Sequence, residues 1–328
     1  MDKVYFLKDF QKLSLVVEKI LIPFYSGASE LLVKIHFGEI GNKTAFTPAD
    51  ITPIAEVFKK AKISLTFLDT PVMYHSPRNN PLSYKMMAKL KGWDKLGRIL
   101  ISNRYQTFKT KNFQVQVSLD LIEAKNVLVI SHVKGHPCAG FGGAIKNLGM
   151  GGVSKETKKI EHELGKPHFV KECQCCGLCA QFCPGQAIKM INNKACFDLN
   201  RCLGCSICEI VCPYHCLAPE QAIFDDLLSQ GAVAVINHLS QKTFYLNIIK
   251  KVSRLCDCFA QTSHLIAPDL GVLFSENPLA IDQASLDLLK QKTGQDVFQE
   301  AHHKDPALQI KFAAKHSRLK PEYQLVEI

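Results

Sequence analysis

No stretch of the 328-residue chain reaches the roughly 18 consecutive apolar residues that a membrane-spanning helix needs. Met1 to Phe10 alternates charge with apolar residues and lacks the basic, apolar and small-residue regions of a secretory signal. These two absences predict a cytoplasmic protein. Low-complexity segments are missing as well. Neither standard phosphate-binding fingerprint occurs: G-x4-G-K-[ST] is absent, and the glycine-rich stretch breaks the G-x-G-x-x-G pattern at Ile145.

Cysteine, by contrast, is abundant, with fourteen in the chain. A reducing compartment does not sustain structural disulfides, so this number points to metal ligation. The pattern C-x2-C-x2-C-x3-C-P occurs twice, as Cys173, Cys176, Cys179, Cys183, Pro184 and as Cys202, Cys205, Cys208, Cys212, Pro213, with the copies 29 residues apart at all five positions. A cubane takes one thiolate per iron, and a short loop running into a helical turn supplies three of the four. In chains with two such runs the fourth cysteine ligates the other cluster. The expected ligands are therefore Cys173, Cys176, Cys179 and Cys212 for one [4Fe-4S] cluster, and Cys202, Cys205, Cys208 and Cys183 for the second. Zinc sites pair two shorter hooks across a longer gap, and neither they nor a disulfide scaffold explain three thiolates in seven residues followed by C-P. The segment resembles the bacterial-type two-cluster ferredoxin module. Cys175, Cys196 and Cys216 stand outside the pattern and read as ordinary thiols.

The formal charge is +10. Eight thiolates subtract eight and two cluster cores add four, leaving a holo-protein of about +6. That balance suits a soluble, acidic electron carrier or an anionic small-molecule substrate. The lysines are dispersed, Lys59, Lys60, Lys85, Lys89, Lys158, Lys159, Lys250 and Lys251 among them, and read as solvated helix faces. Dispersal of this kind argues against nucleic acid as the partner.

Taken in order, the chain alternates strands (31–37, 63–68, 98–102, 126–132) with a helix that places Ile51, Ile54, Ala55 and Phe58 on one side and another across 82–90. The first of these helices carries Thr47 or Asp50 as its cap and Pro48 in its first turn. The fold class expected is α/β, a mainly parallel sheet with helices on both faces, plus an inserted α+β two-cluster ferredoxin-like domain. Its parts are residues 1–166 and 221–328 for the α/β body and 167–220 for the insert. The α/β pattern resumes after the insert with a helix at 223–236 and a strand at 243–248, whereas the tail from His302 is charged and carries no pattern.

Seven of the chain's 19 glycines fall between Gly135 and Gly152, after the strand ending at His132. Strand, glycine-rich loop and short helix suggest backbone amides presented to an anion. The candidate cofactor-binding residues are His132, His136, Gly140, Gly142, Gly143, Lys146 and Asn147; the alternative is an architectural bend that brings the insert against the sheet. His132, His136 and Cys138, with Cys256 and Cys258, make either a further metal or acid/base site, or a packed histidine and a simple bend. Lys34, His36, Glu39, Lys134 and Lys146 either bind an anionic substrate or serve as edge and snorkelling residues.

Several stretches together resemble a family of uncharacterised iron-sulfur centre proteins, a domain of unknown function carrying a ferredoxin insert. They are Val33-Lys-Ile-His-Phe-Gly-Glu39, Ser131-His-Val-Lys-Gly-His136, Gly140 to Gly151 with its Lys146-Asn-Leu-Gly-Met-Gly151 segment, Cys256-Asp-Cys258, and Pro268-Asp-Leu-Gly271 through Asp282-Gln-Ala284. Where the family usually has Asp-Pro, this chain has Asn277-Pro278. The resemblance implies no particular activity. Two functions are expected from the residues: a redox protein whose clusters relay electrons to or from a site near the glycine-rich loop, or an electron-transfer or cluster-scaffold protein without a substrate. A pocket joining Lys146, His132 and Cys258 favours the first, and a filled strand end the second.

Overall fold

The Val-Leu-Val-Ile run at 127–130 has no polar side because it becomes the middle of a sheet covered on both faces. The computed structural model describes residues 1–328. Eight strands form this sheet: β1 (Asp2–Leu7), β2 (Glu30–Lys34), β3 (Ser64–Asp69), β4 (Arg98–Ile101), β5 (Val127–His132), β6 (Thr243–Ile249), β7 (Gly271–Ser275) and β8 (Tyr323–Glu327). Their spatial order is β4-β3-β2-β5-β6-β7-β1-β8. Neighbours pair in parallel except at β7, which runs antiparallel to both β6 and β1. The fold is thus α/β with a mostly parallel central sheet.

Numbering the helices of eight residues or more gives α1 (Leu13–Phe24), α2 (Pro48–Lys60), α3 (Pro81–Leu90), α4 (Ala144–Gly151), α5 (Lys155–Leu164), α6 (Phe224–Ile236), α7 (Pro278–Thr293) and α8 (Leu308–His316). Side chains alternate along β5. Leu128 and Ile130 enter one apolar core with residues of α1, α2 and α3, while Val127 and Val129 enter another with residues of α4, α6, α7 and α8. The two cores hold 32 and 34 buried residues respectively, so neither face of the sheet is left for solvent.

Local chemistry explains several boundaries. At α2, the Asp50 carboxylate accepts from the Thr47 amide at 3.0 Å and the Thr47 hydroxyl at 2.8 Å, and Pro48 occupies the first turn. At α7, Asn277 Oδ1 accepts from the Leu279 and Ala280 amides at 2.9 and 3.3 Å. Asparagine and aspartate serve equally as N-caps, so Asn277 suits this position. The first strand ends at Lys34 rather than at 37, because the chain leaves the sheet and turns at Gly38, whose φ is +71°. β1, β8 and α8 had no sequence-based expectation. β8 is a partly exposed edge strand in a charged tail, so no apolar run marks it.

Between α5 and α6 the chain builds a separate small unit. Pro167–Phe169 pairs antiparallel with Leu217–Pro219, and Ile188–Ile191 with Lys194–Phe197. The second pair turns at Asn192-Asn193, both with positive φ, as a two-residue hairpin turn requires. The 29-residue spacing of the cysteines extends to the backbone. Short helices occupy Leu178–Gln181 and Ile207–Ile210, and the left-handed residues Cys175, Gly177 and Gln186 recur as Gly204, Ser206 and His215. No helix in the chain is long and apolar enough to cross a membrane.

Candidate functional site at the strand-order reversal

From β2 the chain steps outward to β3 and β4, whereas β5 and β6 lie on the other side of β2. Crevices that bind ligands in open parallel sheets form at such a reversal, beyond the carboxyl ends of the two strands concerned. Here those ends are Lys34 and His132.

The crevice walls are built from paired charges. Lys34 is fully buried, 3.1 Å from the Asp69 carboxylate, and donates to Asn147 Oδ1 at 2.7 Å. Asn147 in turn donates to Ile130 O at 3.0 Å and Ser131 Oγ at 3.1 Å, tying α4 to the end of β5. Glu39 accepts from Arg78 at 3.0 Å and from Ser76 at 2.7 Å, and Arg78 donates to His36 Nε2 at 2.6 Å. Asp257 is fully buried between His132 Nδ1, at 2.9 Å, and Lys134 Nζ. Burial alone would raise its carboxyl, but His132 and Lys134 hold it well below the usual range. Lys34, Glu39 and Lys134 therefore already have protein partners.

The glycine-rich segment departs from its sequence reading. Its amides were expected to face an external anion, yet the first amides of α4, Ala144 and Ile145, donate to the Asp282 carboxylate at 2.7 and 2.9 Å. The anion at this helix terminus is part of the chain. Asn247 donates to the same carboxylate at 2.7 Å, and burial pushes the Asp282 carboxyl up to about 6. Gly143 makes the approach feasible, since a Cβ there would lie 2.3 Å from Asp282 Oδ1. Gly140 lies against Pro306 and outside both cavities of the crevice.

Those cavities are contiguous, sharing His36, Lys146, Met150, Gly151 and Cys258. The smaller, about 60 Å³, joins His132, Lys146 and Cys258 and is lined also by Gly142, Gly143 and Asn147. The larger, about 750 Å³, reaches from His36, Arg78 and His136 across Lys158 to His162 and Leu203, the residue after Cys202. Two of its cations have no carboxylate partner. Lys146 is lowered to about 8 by burial and by the Lys134 charge. Lys158, which donates to Thr70 Oγ1 at 2.8 Å and to Pro71 O, is lowered by burial to about 7. Lys158 belongs to the Lys158-Lys159 pair that reads as a solvated helix face; only its burial under the loop after β3 reveals a different role.

Cys256 and Cys258 are joined as a disulfide, whereas the chain's cysteines were expected to remain unpaired. Separated by one residue in a tight turn, the two sulfurs are brought together by local geometry alone. A nitrogen of His136 and both sulfurs lie within 4.8 Å of one another. Cys138 does not join them; it packs with Cys205, Ile207 and Phe224, where burial pushes its thiol up. Lys304, fully buried, bridges these parts, donating to Cys138 O at 2.6 Å and Cys205 O at 2.8 Å while paired with Asp225 at 2.5 Å.

In the cysteine-rich unit, one small cavity is lined by Cys173, Cys176, Cys179 and Cys212. Three belong to the first run and the fourth to the second. In the other half, burial raises the Cys202 thiol and pushes Cys205 up to about 12, with Cys183 adding to both. Backbone amides point at the sulfurs: Ala187 N–H at Cys183 (3.3 Å), Gly204 N–H at Cys202 (3.4 Å) and Cys216 N–H at Cys212 (3.5 Å). Cys175 and Cys196 are exposed, and Cys216, which lies outside both runs, is buried and also lines the first cavity.

No curated protein matches this sequence. Among solved structures, the chain is similar to a protein from Thermotoga maritima, at 9% identity and a TM-score of 0.44, covering 94% of this chain and 59% of that one. It is also similar to the lactate racemase apoprotein from Thermoanaerobacterium thermosaccharolyticum, at 11% identity and a TM-score of 0.38, covering 76% of this chain and 50% of that one. Both structures are thus matched over less than two thirds of their own length. A family model described as a domain of unknown function, DUF362, matches residues 31–287, from β2 through the cysteine-rich unit and into α7. The chain belongs to the DUF362 family.

Proposed function

We propose that this is an iron-sulfur redox protein in which two [4Fe-4S] clusters, held in a ferredoxin-like insert at residues 167–220, relay single electrons between a soluble acidic carrier and the crevice of the α/β body. The observation that carries this reading is the cavity lined by Cys173, Cys176, Cys179 and Cys212. Five thiols line it, and four of them come from the two halves of a doubled motif, a convergence that unrelated cysteines have no reason to show. The rest of the unit fits the same group. Amide N–H donors at the sulfurs stabilise thiolate ligands, and the left-handed residues at 29-residue spacing turn successive amides toward the same centre. Without a metal, burial keeps Cys205 and Cys208 as neutral thiols; coordination to iron is what makes buried thiolates tolerable.

When bound, the clusters supply one-electron transfer. The chain's own residues supply the rest. His162 Nδ1 donates to Leu203 O at 2.6 Å, so the wall of the larger cavity is tied to the residue beside Cys202. Lys146 and Lys158 give that cavity uncompensated positive charge, which suits a small organic anion as substrate. The size of the cavity favours a substrate-using redox protein over a carrier or cluster scaffold, for which nothing requires an open crevice of about 750 Å³.

Iron and sulfide analysis of anaerobically purified protein tests the reading, with about eight of each expected per chain. Four or fewer, or zinc in their place, overturns it. Cys212→Ser should remove the spectroscopic signal of the cluster held by the first run and spare the other; loss of the second alone would refute the crossed wiring.

A further inference from the structure

We propose that Cys256 and Cys258 form a redox-active disulfide/dithiol pair that couples the one-electron clusters to two-electron chemistry in the crevice. The inference rests on the electron relay proposed above. Three observations on this chain's own residues support it. A bridge across one intervening residue closes too short a loop to restrict the unfolded chain, so stabilisation of the fold is the least of its contributions. Cys258 lines both cavities, so one sulfur of the pair is open to whatever occupies the crevice. The turn is pinned at its middle residue, where His132 and Lys134 hold the Asp257 side chain and Glu39 N–H donates to Asp257 O at 2.8 Å. The two sulfurs can therefore separate and rejoin without displacing the backbone between them.

The pair also lies at the end of a packed path from the second cysteine run. Cys205 and Cys138 share a small apolar cluster, and Lys304 ties their carbonyls together. Two residues before Cys138 is His136, next to both sulfurs. The amides of Cys138 and Ala139 donate to His136 Nδ1 at 3.2 Å, which leaves the proton of the neutral ring on Nε2. That polarity leaves Nε2–H free to donate a hydrogen bond, the kind of contact that steadies a thiolate formed when the bridge opens. The step balances as follows: the S–S bond breaks on accepting two electrons, one from each reduced cluster, and two protons from solvent by way of the crevice, giving two thiols. The reverse returns two electrons and two protons.

The experiment uses the full-length holoprotein. The protein is reduced with methyl viologen radical, quenched in acid, alkylated and digested, and the peptide carrying Cys256 and Cys258 is weighed. Iron content and the paramagnetic signal of the reduced clusters are read on the same sample. The expected result is no label on the pair before reduction, two labels after it, and loss of that labelling in Cys205→Ser, while a phosphine reductant still opens the bridge in the variant. Full iron and reduced clusters with the pair still unlabelled would overturn the inference while leaving the relay intact. So would free thiols in the oxidised protein, or one equivalent of Zn²⁺ retained by the reduced protein and protecting both sulfurs. Absence of iron would instead refute the relay. His136→Gln, which leaves every cluster cysteine in place, should slow the labelling; an unchanged rate would remove His136 from the opening of the bridge.

Discussion

Lys146 and Lys158 differ from the other buried cations of the crevice in lacking a carboxylate, and that difference sets a pH dependence. Their folded-state values, about 8 and about 7, lie below the unfolded value near 10.4. Between these limits the folded chain binds fewer protons than the unfolded one, so these two residues make stability rise with pH. Anion binding has the opposite sign, because the anion favours the protonated lysines. The affinity for succinate, whose own charge is constant above pH 7, should fall up to roughly tenfold per pH unit for each lysine once its pKa is passed. Isothermal titration between pH 7 and 9 measures this, and Lys146→Met should flatten the profile. A slope of zero in the wild-type protein would remove the anion from the crevice. Asp282 illustrates a different residue-scale lesson. Its carboxylate meets the Ala144 amide across 138 residues of sequence, so the helix terminus that reads as an anion site is capped by a distant part of the same chain.

At the level of elements, α4 is held by close approach rather than by large side chains. A Cβ at Gly149 would lie 2.6 Å from Leu228 O and 2.7 Å from Leu228 Cδ1 on α6. Gly149→Ala should therefore destabilise the protein by about 1–3 kcal/mol, seen as a lower thermal midpoint. An unchanged midpoint would mean that the two helices can separate freely. The elements most legible in the sequence were those whose signals are local: α2 with its Thr47/Asp50 box, β5 with its unbroken apolar run, and the hairpin turning at Asn192-Asn193. Less legible were those defined by distant partners. β1 is completed by β7 and β8 from the far end of the chain, and nothing in its own residues says so. The doubled cysteine run was readable as a pattern because the repeat lies in the sequence itself, and the left-handed backbone positions repeat with it. The contact of His136 with Cys256 and Cys258 spans more than a hundred residues and depends on where β5 and β6 end.

For the whole molecule, the joint between the cysteine-rich unit and the body centres on one buried ion pair, Lys304 with Asp225, both fully buried. Lys304→Met removes the cation and leaves Asp225 without compensation, a loss of about 3–5 kcal/mol for pairs of this kind. The expected outcome is faster proteolysis within residues 167–220 and loss of the coupling between cluster reduction and the state of Cys256 and Cys258. Unchanged proteolysis would show that the remaining contacts suffice. The same residue also has a consequence in time. Residues 167–220 leave the ribosome well before position 304, and the carbonyls of Cys138 and Cys205 have no cation between them until it arrives. The cysteines thus spend an interval of synthesis undocked and approachable, the window in which iron and sulfide would reach them under the proposed function, before Lys304 closes the joint.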